Sequence, residues 1–475
     1  MYKEYCKIDH SLRPYQQKAK EQIFSAWDEC NNVMFQMPTG TGKTRLFSSI
    51  IRDIKNWGVF NSTEVRILII AHRIELIDQI SENLERYKVS HGIIAGGKQR
   101  DLRHSVQVAS VQTITHKSNQ DLAEGLNVDF IIIDEAHHSV ANSYKKLWQF
   151  YPNAKKLGVT ATPWRMNNRG FQDIFDTLIL SEPIIKFIEQ GWLAPYNYYS
   201  INNNSSIQRD INSITEFDIE GDYKISALEN CMDTFSVRAQ LLNSYLKFAK
   251  GKKGIIYSIS RKHSDHICEE FRKAGVNIVR IDSLTPKDER KIYVDRFKQG
   301  LIDIIVNVDI FSEGFDCPDI EFIQLARPTK SLVKYLQQVG RGLRPTKDKS
   351  RCIILDNVGL HFTFGLPNAE RNWVESFEGD LTNVRHKSSS SVLLPVEELD
   401  GEFAEGDDEM LLIEGVENNL IPEPEVNWKE EDDALLRMLC ERKCPIEVIA
   451  SVFKKDTPTI EERINTLDIK FEIIK

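Results

Sequence analysis

Along the first 180 residues, short apolar runs alternate with stretches in which apolar positions recur at helical spacing. The runs at 33–36, 67–71, 106–109, 130–134 and 156–160 are dense in Ile, Val, Leu and Phe, as expected of strands covered on both faces. Ile74, Ile77, Ile80 and Leu84 mark one intervening helical face. Such alternation predicts a parallel sheet with helices on both sides. The Asn- and Ser-rich stretch 200–212 interrupts the pattern and reads as a linker or surface excursion. The alternation then resumes, with strands expected at 254–258, 277–281, 304–308, 322–325 and 352–356.

The pattern lapses again before the C-terminus. Between Glu397 and Glu425 stand twelve Asp or Glu residues and no Lys or Arg, a composition expected of a flexible tether. Helical spacing returns after Trp428. Leu435, Leu436 and Leu439 share one face, and Ile446, Ile449 and Phe453 a second. Ile460, Ile464 and Leu467 form a third, after the cap and first-turn proline of Thr457-Pro458.

The acidic stretch changes how the charge reads. The 475-residue chain carries a formal −9, yet without those twelve carboxylates the remainder carries +3. The overall acidity therefore does not exclude a nucleic-acid partner. The eight cysteines show no C-x-x-C pair, as expected of reduced thiols in a cytosolic protein. Neither Cys440 with Cys444 nor His263, His266 and Cys268 supplies the four ligands of a structural zinc. No apolar run approaches the ~20 residues of a membrane helix. Residues 1–15 lack the apolar stretch of a signal peptide. The expectation is a soluble, cytoplasmic chain of about two to four domains, nucleoid-associated if bacterial.

Two motifs carry chemistry. Met37-Pro38-Thr39-Gly40-Thr41-Gly42-Lys43-Thr44 lies between a predicted strand and a predicted helix. A glycine-rich loop there lets backbone N–H groups wrap a triphosphate, with Lys43 reaching the β/γ-phosphates and the Thr44 hydroxyl available to Mg2+. Met37 stands where the strict pattern has glycine. Asp134-Glu135-Ala136-His137 ends the strand predicted at 130–134, placing Asp134 to hold the same Mg2+ and Glu135 to activate water.

With their companions, these motifs resemble those of superfamily 2 helicases and translocases. Leu12-Arg13-Pro14-Tyr15-Gln16 is similar to the adenine-reading segment, and Ile70 to Leu76, with His72 and Arg73, to motif Ia. Ala109 to Thr113, with Gln112 and Thr113, resembles the next strand-contact motif. Thr160-Ala161-Thr162-Pro163 is similar to motif III and 254–258 to motif IV. Glu313-Gly314-Phe315-Asp316 resembles motif V, and Gln337 to Arg344 motif VI. The motifs span residues 12 to 345 in the family's order.

The resemblance implies an α/β fold of two tandem RecA-like domains, parallel sheets with helices on both faces, plus a small all-α C-terminal domain. The expected divisions are lobe one at 1–185, an interlobe linker at 186–232, lobe two at 233–362, an acidic segment at 363–426 and a three-helix module at 427–475. It implies catalysis of ATP hydrolysis by Lys43, Glu135, Arg341 and Arg344. Nucleotide contacts are expected from Arg13, Gln16, Thr39, Gly40, Thr41, Gly42, Lys43, Thr44, Gly314 and Asp316, with Mg2+ on Thr44 and Asp134. His137, Thr160, Thr162 and Gln337 are expected to couple the lobes, and His72, Arg73, Gln112 and Thr113 to grip nucleic acid. His138 is expected at the surface.

Glu313-Gly314-Phe315-Asp316 and the Gln-led motif VI look more like RadD-like, XPB-like and type I restriction motors than RNA-directed DEAD-box enzymes. DNA is the expected partner. A duplex-RNA-stimulated helicase and an ATP-gated clamp that recruits partners are the alternative readings. The C-terminal helices resemble a Myb/SANT-like or helix-turn-helix module. Only Arg463 is basic among Glu461, Glu462 and Arg463, so the module is as suited to a protein partner as to DNA, and the acidic segment is a further candidate contact for a protein partner.

Overall fold

The computed structural model describes residues 2–139, 142–166, 169–308, 310, 317–347, 349–379 and 411–415, together with core positions between 433 and 467. Gly314 and Asp316, most of the acidic segment, and Trp428, Leu435 and Leu439 lie outside the described residues.

In lobe one, β1 (Asn32–Gln36), β2 (Ile67–Ala71), β3 (Gly92–Ile94), β4 (Val106–Ser110), β5 (Phe130–Asp134), β6 (Lys155–Thr160) and β7 (Thr177–Leu180) form one parallel sheet. Its order is β3-β4-β2-β5-β6-β1-β7. β2 and β5 are buried along their whole length, which accounts for their unbroken apolar sequence. Three helices matter for the site: α1 (Pro14–Glu29), α2 (Lys43–Phe60) and α3 (Ile74–Arg86). α1 is locked to α2 by the buried Lys20–Asp53 ion pair at 2.8 Å, with Ser49 also accepting from Lys20. A buried pair of this kind is tolerable only because further hydrogen bonds complete it.

Lobe two repeats the plan. β8 (Tyr196–Ser200), β9 (Gly254–Tyr257), β10 (Ile278–Ile281), β11 (Ile304–Asn307), β12 (Phe322–Leu325), β13 (Cys352–Asp356) and β14 (Leu411–Gly415) lie in the order β10-β11-β9-β12-β13-β8-β14. All are parallel except β14, which pairs antiparallel with β8.

Three expectations change. The stretch 200–212 is no simple linker: Ser205 caps the helix Ser206–Asn212, which buries Ile207 and Ile211 in the lobe-two core. The polar composition belongs to the cap and the outward face. β8 falls within the expected interlobe linker 186–232: Tyr196, Tyr198 and Ser200 are buried in alternation with more exposed positions, a strand period carried by residues of loop-like composition. The segment from 363 also begins inside ordered structure. The helix Trp373–Glu378 returns to lobe one, where Phe377 stacks on Phe171 and its carbonyl accepts from Phe171 N at 2.6 Å.

Residues 418–475 form a separate compact unit. Leu436, Cys440, Ile446, Ile449, Ile460 and Ile464 are its core. Arg463 is engaged by Asp433 at 2.6 Å.

Candidate ATP site and nucleic-acid face

The glycine-rich loop leaves β1 at Gln36 and enters α2 at Lys43. Gly40 and Gly42 have φ of +87° and +90°, a backbone that side chains resist. A Cβ on Gly42 would also meet the Gln16 amide nitrogen at 2.7 Å. Gln16 is fully buried; its Nε2 donates to the carbonyls of Thr41 and Gly42, both at 3.1 Å, and its Oε1 accepts from Arg13 N. Tyr15 donates to the Thr41 carbonyl at 2.7 Å. The guanidinium of Arg13 lies 4.8 Å from the Trp192 ring centre. The Gln16 amide, expected to read adenine, thus braces the phosphate loop.

At the end of β5, Glu135 takes φ of +49°, a left-handed conformation uncommon outside glycine and concentrated at functional sites. The turn brings its Oε1 to 3.7 Å from Lys43 Nζ, both side chains being nearly buried. Asp134 Oδ1 accepts the Glu135 N–H at 3.0 Å. His137 Nδ1 lies 3.1 Å from Thr160 Oγ1 and 3.4 Å from Glu135 Oε2. Thr162 N donates to the same Thr160 hydroxyl at 3.1 Å. One buried network therefore joins the ends of β5 and β6.

The residues present suit a magnesium nucleotide. Thr39 Oγ1 is buried and lacks a hydrogen-bond partner, and the lysine at the start of α2 faces a carboxylate a phosphate would displace. Mg2+ is commonly held by one or two carboxylates together with substrate phosphates and water. Thr44 and Asp134, each next in sequence to a member of the Lys43–Glu135 pair, provide a hydroxyl and a carboxylate.

Lobe two closes on this loop. A Cβ on Gly340 would fall 2.6 Å from Thr39 Cβ, and one on Gly40 would lie 3.2 Å from Arg344 Cγ. Both glycines permit backbone approach between the loop and the helix Leu332–Gly342. Gln337 and Arg341 are buried on that helix. Ala194 N donates to the Leu343 carbonyl at 2.7 Å, and Leu193 Cδ2 lies 3.4 Å from the position of a Cβ on Gly40. The connector at 191–195 thus touches both halves of the cleft. Beneath the arginines, the buried Tyr257 phenol is pushed above its ordinary pKa by burial, with Arg341 and Arg344 opposing.

On the same edge of lobe one, β2 leads into His72 and Arg73. Gln112 donates to the His72 carbonyl at 3.1 Å, and Thr113 N caps onto Ser110. Arg73, Glu75, Ser283, Arg290 and Val308 line a cavity of about 420 Å³ between the lobes, where Arg290 meets Glu75 at 3.1 Å. His138, expected at the surface, is half-buried: its ring lies 4.3 Å from His72 and 4.2 Å from His137. The tight turn at Glu135 folds it inward. Sequence reasoning also missed the roles open to Gly340 and Leu193, although the former sits within the quoted motif VI.

Two α/β lobes built on largely parallel sheets, a phosphate loop with its carboxylates, and an arginine-bearing helix pressed against that loop define a tandem RecA-like nucleotide hydrolase. Residues 9–165 match the family model for the type III restriction enzyme res subunit, and 237–346 that for the helicase conserved C-terminal domain. The chain is similar to a 51.5 kDa protein of a Lactococcus phage, 35% identical over 347 residues, covering 73% of this chain and 70% of that protein. IRC3 of Saccharomyces cerevisiae is 30% identical over 362 residues, covering 73% of this chain and 51% of IRC3. The DNA 3'-5' translocase XPB2 of Sulfurisphaera tokodaii is 26% identical, covering 72% of this chain and 80% of that protein. Among solved structures, the DNA-bound Type ISP restriction-modification enzyme LlaBIII shares the fold at TM-score 0.54 and 16% identity, covering 79% of this chain and 30% of that one. The chain belongs to the superfamily 2 helicases and is an ATP-hydrolysing, nucleic-acid-binding member. No helix among the described residues is long and apolar enough to cross a membrane.

Proposed function

We propose that this chain is a DNA motor that converts ATP hydrolysis in the interlobe cleft into movement along DNA, in repair, recombination or defence. The observation that carries the proposal is the approach of Gly340 and Arg344 to Thr39 and Gly40. Charge developing on the γ-phosphate would be met by arginines from the opposite lobe, so hydrolysis and lobe closure become one event. In comparable nucleotide hydrolases such an arginine is worth ~10³–10⁵ in rate.

In this mechanism the backbone of Thr39 to Gly42 cradles the phosphates and Lys43 exchanges Glu135 for the β/γ-phosphates. Glu135 then orients and deprotonates the attacking water, while Arg341 and Arg344 stabilise the outgoing charge. Mg2+, held by Thr44 and Asp134, would supply the remaining neutralisation at the phosphates. Gly314 and Asp316 complete the nucleotide contacts. His137, Thr160, Thr162 and Gln337 relay the hydrolytic state between lobes, and His72, Arg73, Gln112 and Thr113 hold the DNA backbone.

DNA is favoured by the translocase named among the relatives and by the restriction family model. The terminal unit would add a Myb/SANT-like or helix-turn-helix contact, to protein as readily as to DNA, since Arg463 is engaged by Asp433. The test is ATP-driven displacement of a third strand from a DNA triplex. The full chain should displace it, and Glu135→Gln should not. Retention of the third strand by the active wild-type protein would refute movement along duplex DNA.

A further inference from the structure

Lys349 lies beyond the last of the motifs, in the chain between Arg344 and β13. Its side chain is buried, and its ammonium donates to the carbonyls of Gly342 at 2.7 Å, Ile320 at 2.9 Å and Pro318 at 3.2 Å. Three acceptors use all three donors of an ammonium, so the group is held in its charged form. Among the described residues no carboxylate pairs with it: Asp319 is engaged by Lys253 at 2.7 Å and Glu321 by Lys252 at 3.2 Å. A buried charge without a counter-ion costs stability, offset here only by its bonds to neutral carbonyls. An apolar side chain would serve a purely structural position better.

The three carbonyls belong to two segments that carry candidate ATP residues. Gly342 ends the helix bearing Gln337 and Arg341, where a cation also suits the negative end of the helix. Pro318 and Ile320 lie where the chain from Gly314 and Asp316 runs into β12. One ammonium therefore fastens the arginine helix to the segment that follows motif V.

The consequence falls on Arg344. The Gly342 carbonyl is held by Lys349, and the Leu343 carbonyl accepts from Ala194 N at 2.7 Å. Both peptide carbonyls immediately before Arg344 are thus pinned. A Cβ on Gly342 would collide with Cys352 Sγ and lie 2.8 Å from Ile323 Cγ1, so the turn is pressed against β12 and β13 without slack. From this turn Arg344 reaches the phosphate loop, its Cγ 3.2 Å from the position of a Cβ on Gly40.

We infer that Lys349 is a positioning residue for ATP hydrolysis, which sets where Arg344 stands by clamping Gly342 to Pro318 and Ile320. It touches no substrate and acts through the arginine. The inference rests on the reading of Arg344 as a group that meets charge developing on the γ-phosphate, and it adds to that reading a residue outside the motifs. Because the same ammonium holds the chain after motif V, a shift of that segment is passed to Arg344.

The experiment is a double-mutant cycle on steady-state ATP hydrolysis by the full chain, with and without DNA, using Lys349→Met and Arg344→Lys. Lys349→Met should lower kcat about 10²-fold, the scale for a misplaced group, with KM for ATP changing far less. In the Arg344→Lys background the same substitution should cost less than about threefold, because the guanidinium it positions is already gone. A residue that merely supports the fold would cost equal factors in both backgrounds, and that result overturns the inference. So does a wild-type kcat in Lys349→Met. Where Lys349→Met does not fold, Lys349→Gln, which keeps two donors, takes its place in the cycle and is read by the same outcomes. Wild-type turnover by Arg344→Lys overturns the arginine reading itself, and the inference with it.

Discussion

A Cβ on Gly340 would stand 2.6 Å from the Cβ of Thr39, so the arginine-bearing helix and the phosphate loop meet with no room for a side chain between them. Gly340→Ala should hold the lobes apart by a fraction of an ångström to an ångström. Misplacement on that scale costs ~10²-fold in rate, and the loss should fall on kcat with KM for ATP changing far less. Steady-state kinetics decides this; an unchanged kcat would mean the cleft does not close in this way.

His138 joins two sites that the motifs treat separately. Its ring touches His72 on the nucleic-acid side and His137, which reaches Glu135, on the ATP side. We predict that His138→Ala keeps the basal ATPase rate and loses most of its stimulation by nucleic acid. Equal stimulation in variant and wild type would dismiss the histidine row as packing alone.

Phe377 fastens lobe two's outgoing chain to lobe one. Its ring is buried beside Phe171, and no side chain fits at Gly170, where a Cβ would lie 2.4 Å from the Phe377 carbonyl oxygen. Phe377→Ala should destabilise this docking by about 3 kcal/mol, the lower end for losing a buried phenyl ring. Limited proteolysis should then cut sooner near 365–379. Unchanged protection would show that the ring contributes little to the anchor.

His263 makes lobe two sensitive to acid. Burial lowers its pKa to about 4, with the Asp233 charge opposing, and its Nδ1 accepts from Ile259 N. Unfolded histidine titrates near ~6.5. Between those values the unfolded chain takes up a proton that the folded chain refuses, so stability falls as pH falls. From pH 7 to pH 5 the lobe-two unfolding transition should lose about 2 kcal/mol through this group. Denaturant titrations of wild type and His263→Gln at both pH values measure it, and an equal loss in the variant would assign the effect elsewhere.

The central strands and the phosphate loop were legible because burial on both faces forces unbroken apolar runs, and because a triphosphate cradle needs its glycines. β3, with three residues, is too short to show a period, and β7 is largely half-exposed. β8 escaped because its tyrosines and asparagine look like loop composition, and β14 because it lies in an acidic stretch. Gln16, Lys43, Glu135 and Arg344 could be named from motifs, but the bracing of Gln16 against the loop is a tertiary fact.

ATP hydrolysis in this cleft should be driven by DNA. Its most direct measurement is the steady-state ATPase rate of the full chain with no nucleic acid, single-stranded DNA, duplex DNA, forked DNA and duplex RNA, with Lys43→Ala and Arg344→Ala as controls. Strong stimulation by a DNA form, abolished in both variants, is the expected result. Stimulation by duplex RNA alone, or by none of these, would contradict it.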